Sequence, residues 1–134
     1  MSKFSQQEYV FLIKQQVGRL ATVTKQGVPH VAAVSYANDE GLIYISTDYE
    51  SKKGRNIRRN NRVAFIVDDY INWEKTFGVI IEGEANFTTK GSFFRNGKNL
   101  LYEKYPKWEL DYPLIEEQSY VLIIKPTNII SWGM

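Results

Sequence analysis

Six short apolar runs, most of them one turn apart, dominate this chain and restrict what it can become. They fall at residues 19–24, 31–36, 42–47, 62–67, 77–87 and 120–124. Turn chemistry follows several of them: Lys25-Gln26-Gly27 after the first, Asn38-Asp39-Glu40-Gly41 after the second, and Asp68-Asp69 after the fourth. Strands joined at hairpin distance run antiparallel, and closure into a barrel removes their exposed edges. The expected fold is mainly β with helical inserts, a closed antiparallel barrel of about six strands. The run at 77–87 is long for one strand and is expected to break or bulge near Gly83.

Helices fit around these runs. Ser5-Gln6-Gln7-Glu8 is a capping box ahead of Tyr9, Val10, Leu12 and Ile13. Residues 90–105 read as a helix weakened by Gly97 and stopped by Pro106. Residues 111–118 read as another, with Pro113 near its start. A length of 134 residues, 43% hydrophobic and 24% charged, makes a single globular domain over the whole chain.

Alternation is imperfect. Val31-Ala32-Ala33-Val34 and Val79-Ile80-Ile81 are apolar on both faces. One face belongs to the barrel interior. The other calls for a subunit interface or a bound planar ligand, and either argues against an isolated monomer.

The segment 51–62, SKKGRNIRRNNR, holds six of the seventeen basic residues and no acid. Ser51 is a good N-cap, which places Lys52 and Lys53 in the first turn of a helix. The macrodipole is positive there, so two cations are disfavoured by a few tenths to about 1 kcal/mol each. A bound anion removes the conflict, because backbone N–H groups, a hydroxyl and two ammonium groups then converge on one charge. The segment reads as a phosphate site. Arg58, Arg59 and Arg62 lie at the far end, where cations suit the dipole, and Ile57 anchors the helix to the core.

Other residue types narrow the chemistry. With no Cys, disulfides, thiolate metal sites and thiol nucleophiles are excluded. His30 is the only histidine; a structural role competes with donation to a ligand carbonyl or a proton relay, so it is a weak catalytic candidate. Ser46 and Thr47, at a strand end, suit either local backbone groups or a second contact to phosphate or ribityl oxygens. Trp73 and Trp132 are the aromatics considered for stacking on a ring, against a packing role. Glu82, Glu84, Asp68 and Asp69 show no acid/base spacing. A net charge of +2 disfavours a nucleic-acid binder. No apolar run reaches the roughly 20 residues of a membrane helix, and the first residues lack a signal-peptide core, so a cytoplasmic location without a membrane partner is expected.

Taken in order, GRLATV (18–23), GVPHV (27–31), LIYIST (42–47), SKKGRNIRR (51–59), RVA (62–64), VIIEG (79–83), KPT (125–127) and SWG (131–133) resemble the pyridoxamine 5′-phosphate oxidase-like family over roughly residues 8–133. The resemblance implies a split β-barrel homodimer with flavin sites in the subunit interface. It implies that Ser46, Thr47, Ser51, Lys52 and Lys53 hold the phosphate, with Asn56 a weaker candidate, and that Val31, Ala32, Ala33 and Val34 line the ring. The Arg- and His-rich C-terminal substrate motif of the vitamin oxidases is missing from IISWGM (129–134), so the chain is more similar to the short reductases that use FMN or a 5-deazaflavin. The function implied is hydride or electron transfer to an unidentified small-molecule substrate. The alternative is a flavin-binding carrier or sensor without turnover.

Overall fold

The computed structural model describes residues 3–134. The elements in order are α1 (Gln6–Lys14), β1 (Val17–Val23), β2 (Pro29–Ser35), β3 (Ala37–Asn38), β4 (Ile43–Ser46), α2 (Lys52–Arg59), β5 (Arg62–Asn72), β6 (Lys75–Thr88), α3 (Ser92–Lys104), α4 (Trp108–Asp111) and β7 (Val121–Trp132). Local chemistry sets the starts. Ser5 Oγ accepts from the Glu8 N–H at 3.1 Å and the Glu8 carboxylate accepts from the Ser5 N–H at 2.8 Å, completing the expected capping box. Asp39 Oδ1 accepts from the Gly41 and Leu42 N–H groups and so turns β3 into β4.

The strands make one antiparallel sheet in the order β2-β1-β5-β6-β7-β4-β3. The short β3 brings the number to seven. Hydrogen bonds do not close the sheet, since β2 and β3 are its two edges. Val34 of β2 and Ile43 and Ile45 of β4 nevertheless share one buried cluster with Leu20, Phe65, Ile81 and Leu122. Strands from opposite ends of the order face one interior, so the sheet curls into a split β-barrel. Tyr36 marks the split. Its N–H donates to the Tyr105 hydroxyl at 3.2 Å, and that hydroxyl lies 2.9 Å from the Tyr36 carbonyl and 2.7 Å from the Gln16 carbonyl. A side chain thus satisfies backbone groups that a neighbouring strand would otherwise take, and the ladder is interrupted there. A smaller core lies under α3, where Phe94 and Leu101 pack with Tyr44, Leu114 and Val121.

Three elements differ from expectation. Asp68-Asp69 does not end a strand: β5 continues to Asn72 and pairs with β6 throughout. Asp68 lies on the outer face and pairs with Arg19 at 3.2 Å, so its charge is compatible with the ladder. Residues 111–118 do not form a helix. Pro113 has no N–H to give, the Leu114 N–H is taken by the Tyr102 hydroxyl at 2.6 Å, and buried Leu114 fixes the segment in an irregular course. Finally, β7 runs past residue 124 to Trp132. Pro126 is tolerated because it sits at the register shift opposite Gly83, where the ladder skips Thr127. A Cβ on Gly83 would lie 2.3 Å from the Lys125 carbonyl oxygen, so the bulge expected near Gly83 requires glycine.

Candidate functional site

The chain leaves β4 at Ser46, turns through Asp48 and enters α2 at Lys52. Ser51 caps that helix: its Oγ accepts from the Gly54 N–H at 3.2 Å and donates to the Asp48 carbonyl at 2.7 Å. Its hydroxyl proton is therefore already committed within the turn. Gly54, Asn56 and Ile57 form the buried face of α2. A Cβ on Gly54 would lie 2.5 Å from the Tyr49 carbonyl oxygen, so glycine lets the helix start close against its own approach loop.

A cavity of about 270 Å³ opens beside this helix start, lined by Ala33, Val34 and Ser35 of β2, Ser46 and Thr47 at the end of β4, Lys53, Trp108 and Tyr112. Five of the residues singled out in the sequence are thus brought together: Ala33, Val34, Ser46, Thr47 and Lys53. Lys53 is half-buried and Lys52 exposed. Neither takes part in the ion pairs found among the described residues, which are Arg19–Asp68, Arg58–Glu50 and Arg95–Glu116. The first turn of α2 holds no acid. A half-buried ammonium beside two strand-end hydroxyls, with no carboxylate to neutralise it, favours an anion.

The remaining candidates lie elsewhere. Asn56 is buried, and its Nδ2 donates to Thr22 Oγ1 at 3.0 Å, so it ties α2 to β1 rather than facing the cavity. His30 pairs with Thr22 across the β1–β2 hairpin and does not line the cavity. Val31 and Ala32 lie further along β2, outside the lining. Arg58 bonds Glu50 at 3.2 Å and lies 4.1 Å over the Tyr49 ring, the structural role expected of it.

The aromatics at the site are not the two considered from sequence. Trp73 caps the β5–β6 hairpin with 79% of its surface exposed. Trp132 covers Gly78, with its Nε1 donating to Thr76 Oγ1 at 3.0 Å. Trp108 and Tyr112 border the cavity instead. Trp108 stacks on Tyr105 (centroids 4.5 Å apart, planes 17° apart) and meets Tyr112 edge-on at 5.7 Å. Tyr105, Trp108 and Tyr112, at helical intervals on either side of Pro106, give one readable signal. Only the fold brings them against β2 and β4.

The outer face of the sheet is the second feature. Across β2, β1, β5, β6 and β7 the register aligns Ala33, Arg19, Ile66, Ile80 and Ile130, while Leu20, Phe65 and Ile81 face the interior. Val31, in the strand expected to be covered on both faces, is 64% exposed in the single chain. The run 31–34 therefore presents an apolar surface that this chain alone does not cover.

A curled antiparallel sheet split at one tyrosine, with a basic helix start at a strand end, places the molecule among the split-barrel proteins. It belongs to the pyridoxamine 5′-phosphate oxidase family, whose model matches residues 5–133. The chain is 43% identical over 137 residues to a 5a,11a-dehydrotetracycline/5a,11a-dehydrooxytetracycline reductase from Streptomyces rimosus, covering 98% of this chain and 84% of that one. Its fold is similar to conserved hypothetical protein Rv2991 from Mycobacterium tuberculosis, with a TM-score of 0.81 and 26% identity over 96% of this chain and 84% of that one. It is also similar in fold to an FAD-binding protein from Mesorhizobium loti, with a TM-score of 0.70 and 22% identity over 97% of this chain and 93% of that one. No helix among the described residues is long and apolar enough to cross a membrane.

Proposed function

We propose that this protein is a flavin-dependent oxidoreductase, acting as a homodimer and holding FMN or a 5-deazaflavin by its phosphate. The observation that carries the reading is the convergence of Ser46, Thr47 and the unpaired Lys53 on one cavity at the start of α2. Lys53 supplies the counter-charge and the two hydroxyls donate to phosphate oxygens. Trp108 and Tyr112 screen that end from water.

A cavity of about 270 Å³ is at the small end for a whole cofactor, so one chain provides part of a site. The exposed edge of β2 extends it. As an edge strand, β2 pairs with β1 alone, and its other backbone N–H and C=O groups are open to the polar edge of a ring. A second copy covering Val31 and Ala33 would supply the facing wall. When bound, the flavin supplies the hydride chemistry, and the protein supplies position, electrostatics and exclusion of water. The name of the Streptomyces rimosus relative suggests the substrate class, a small conjugated molecule reduced at a carbon–carbon double bond.

The test is the visible absorption spectrum of the purified protein, with mass spectrometry of whatever cofactor it releases. Titration with FMN and with a 5-deazaflavin follows. A colourless protein whose additions leave both spectra unshifted would refute the reading. One observation favours the carrier alternative: no carboxylate or imidazole lines the cavity. Reduction of the bound flavin followed by an acceptor screen separates the two, since reoxidation only at the free-flavin rate indicates a carrier.

A further inference from the structure

The cavity beside α2 is lined by two kinds of side chain. Ser46, Thr47 and Lys53 offer hydroxyls and a cation, and a phosphate accounts for them. Trp108 and Tyr112 offer aromatic surface, which phosphate binding does not need. Neither is a core residue: Trp108 is half-buried, and Tyr112 is 63% exposed. Large rings left partly open beside a cavity call for a ligand that covers them.

The wall is held in place from behind. The Tyr105 hydroxyl lies 2.7 Å from the Gln16 carbonyl oxygen and 2.9 Å from that of Tyr36, and the Nζ of half-buried Lys104 lies 5.8 Å from the Tyr105 ring centroid. Trp108 stacks on that fixed ring. The Tyr112 N–H donates to the Trp108 carbonyl at 2.8 Å, which sets Tyr112 one helical turn further on. Rings already fixed before binding lose little freedom when a ligand stacks on them.

The polar tips narrow the ligand. Among the described residues the Trp108 indole N–H and the Tyr112 hydroxyl have no protein partner, whereas the Trp132 N–H is taken by Thr76 and the Tyr102 hydroxyl accepts from Leu114. No carboxylate lines the cavity to pair a cation. Aromatic faces beside two uncommitted donors suit a planar ring that carries oxygen acceptors.

We propose that Trp108 and Tyr112 are the specificity-determining wall for the substrate, seating a flat, uncharged, oxygen-bearing ring system beside the bound flavin. This deepens the flavin reading and rests on it. Stacking reads flatness rather than one functional group, so the site sorts molecules by planarity first and by the placement of acceptors second.

The test is equilibrium dialysis of the protein, saturated with the oxidised cofactor it takes (FMN or a 5-deazaflavin), against coumarin, with the bound fraction read by liquid chromatography. Coumarin is a flat lactone whose carbon–carbon double bond is conjugated to its carbonyl. Octahydrocoumarin keeps the skeleton and both oxygens but not the flat ring, and it should bind roughly tenfold more weakly. Trp108→Leu should weaken coumarin roughly tenfold and leave octahydrocoumarin within about twofold. Trp108→Phe keeps a flat face and loses the N–H, so about threefold is expected. Equal affinity for the two lactones overturns the proposal while the flavin reading stands. So does coumarin binding that Trp108→Leu leaves within about twofold of the unaltered protein. An unaltered protein that takes neither cofactor fails the flavin reading itself, and the proposal falls with it. If Trp108→Leu does not fold, Tyr112→Leu, a change to a largely exposed side chain, decides by the same measure.

Discussion

Lys52 and Lys53 are adjacent in sequence and equivalent by charge, yet the structure gives them different surroundings, so their alanine variants form a sharp test. Lys53 lines the cavity with Ser46 and Thr47; Lys52 points into solvent. A charge-assisted contact in a partly desolvated site is worth about 1.5–3 kcal/mol. At about 1.4 kcal/mol per decade, Lys53→Ala should weaken FMN binding by roughly tenfold to a little over a hundredfold. Lys52→Ala removes a solvated, salt-screened charge outside the cavity lining, so about threefold or less is expected. Salt separates them further. Raising ionic strength from 0.1 to 1 M shortens the screening length from about 10 to about 3 Å, which should erase the Lys52 effect and leave most of the Lys53 effect. The assay is flavin fluorescence titration at both salt concentrations. Equal losses in the two variants, or a larger loss at Lys52, would show that the helix start does not hold the phosphate as argued.

Gly54→Ala should destabilise the protein by about 1–3 kcal/mol in urea unfolding. The new methyl meets the Tyr49 and Asp48 carbonyl oxygens at 2.5 and 2.8 Å, which outweighs the helix-propensity gain of up to about 1 kcal/mol; a stabilised variant would contradict this. The pH dependence of stability has a defined sign. Lys104 titrates at about 8 in the fold and near 10.5 when unfolded, so the unfolded chain binds more protons in that window and stability rises with pH. Above pH 10 the order reverses, because burial raises the Tyr36 and Tyr44 hydroxyls above their ordinary 10.0 and only the unfolded chain loses those protons. The thermal midpoint should therefore climb from pH 8 to just below 10 and then fall, and Lys104→Met should flatten the climb; a steady decline from pH 8 sinks the argument. Ile80→Lys, between Ile66 and Ile130 on the outer face, should convert a dimer into monomer by sedimentation velocity while leaving the circular dichroism spectrum intact. A wild-type monomer, or a variant that still dimerises, rejects that interface.

What the sequence made legible is what neighbours in the chain decide. The Ser5 and Ser51 caps and the hairpin turn after β1 each depend on residues within four positions, and each is read correctly from residue type; the bulge at Gly83 is signalled by the glycine itself, although its partners lie on β7. What the sequence left hidden has a different cause. Asn56 looks like another polar residue at a basic helix start, but its direction is set by Thr22, thirty-four positions away on β1. The segment 111–118 has helical composition and loses its helix to the Tyr102 hydroxyl and the burial of Leu114. Trp108 and Tyr112 reach the cavity only because α3 returns the chain to the ends of β2 and β4.

The run 31–34 shows the converse, where a failed local rule carries information. A strand with one wet face should alternate, and Val31-Ala32-Ala33-Val34 does not. In the single chain Val34 is buried while Val31 and Ala33 are exposed. Beyond Arg19 of β1, which pairs with Asp68, apolar residues return on the outer side of the same sheet at Ile66, Ile80 and Ile130. Folding of one chain gains nothing from that pattern. A partner surface that shields the β2 edge accounts for it, and the same shielding would dry the polar cavity a few ångströms of strand away. If the protein is the flavin-binding dimer proposed above, this departure from alternation at the strand nearest Lys53 would link assembly to cofactor binding: whatever separates the two copies should also release the flavin.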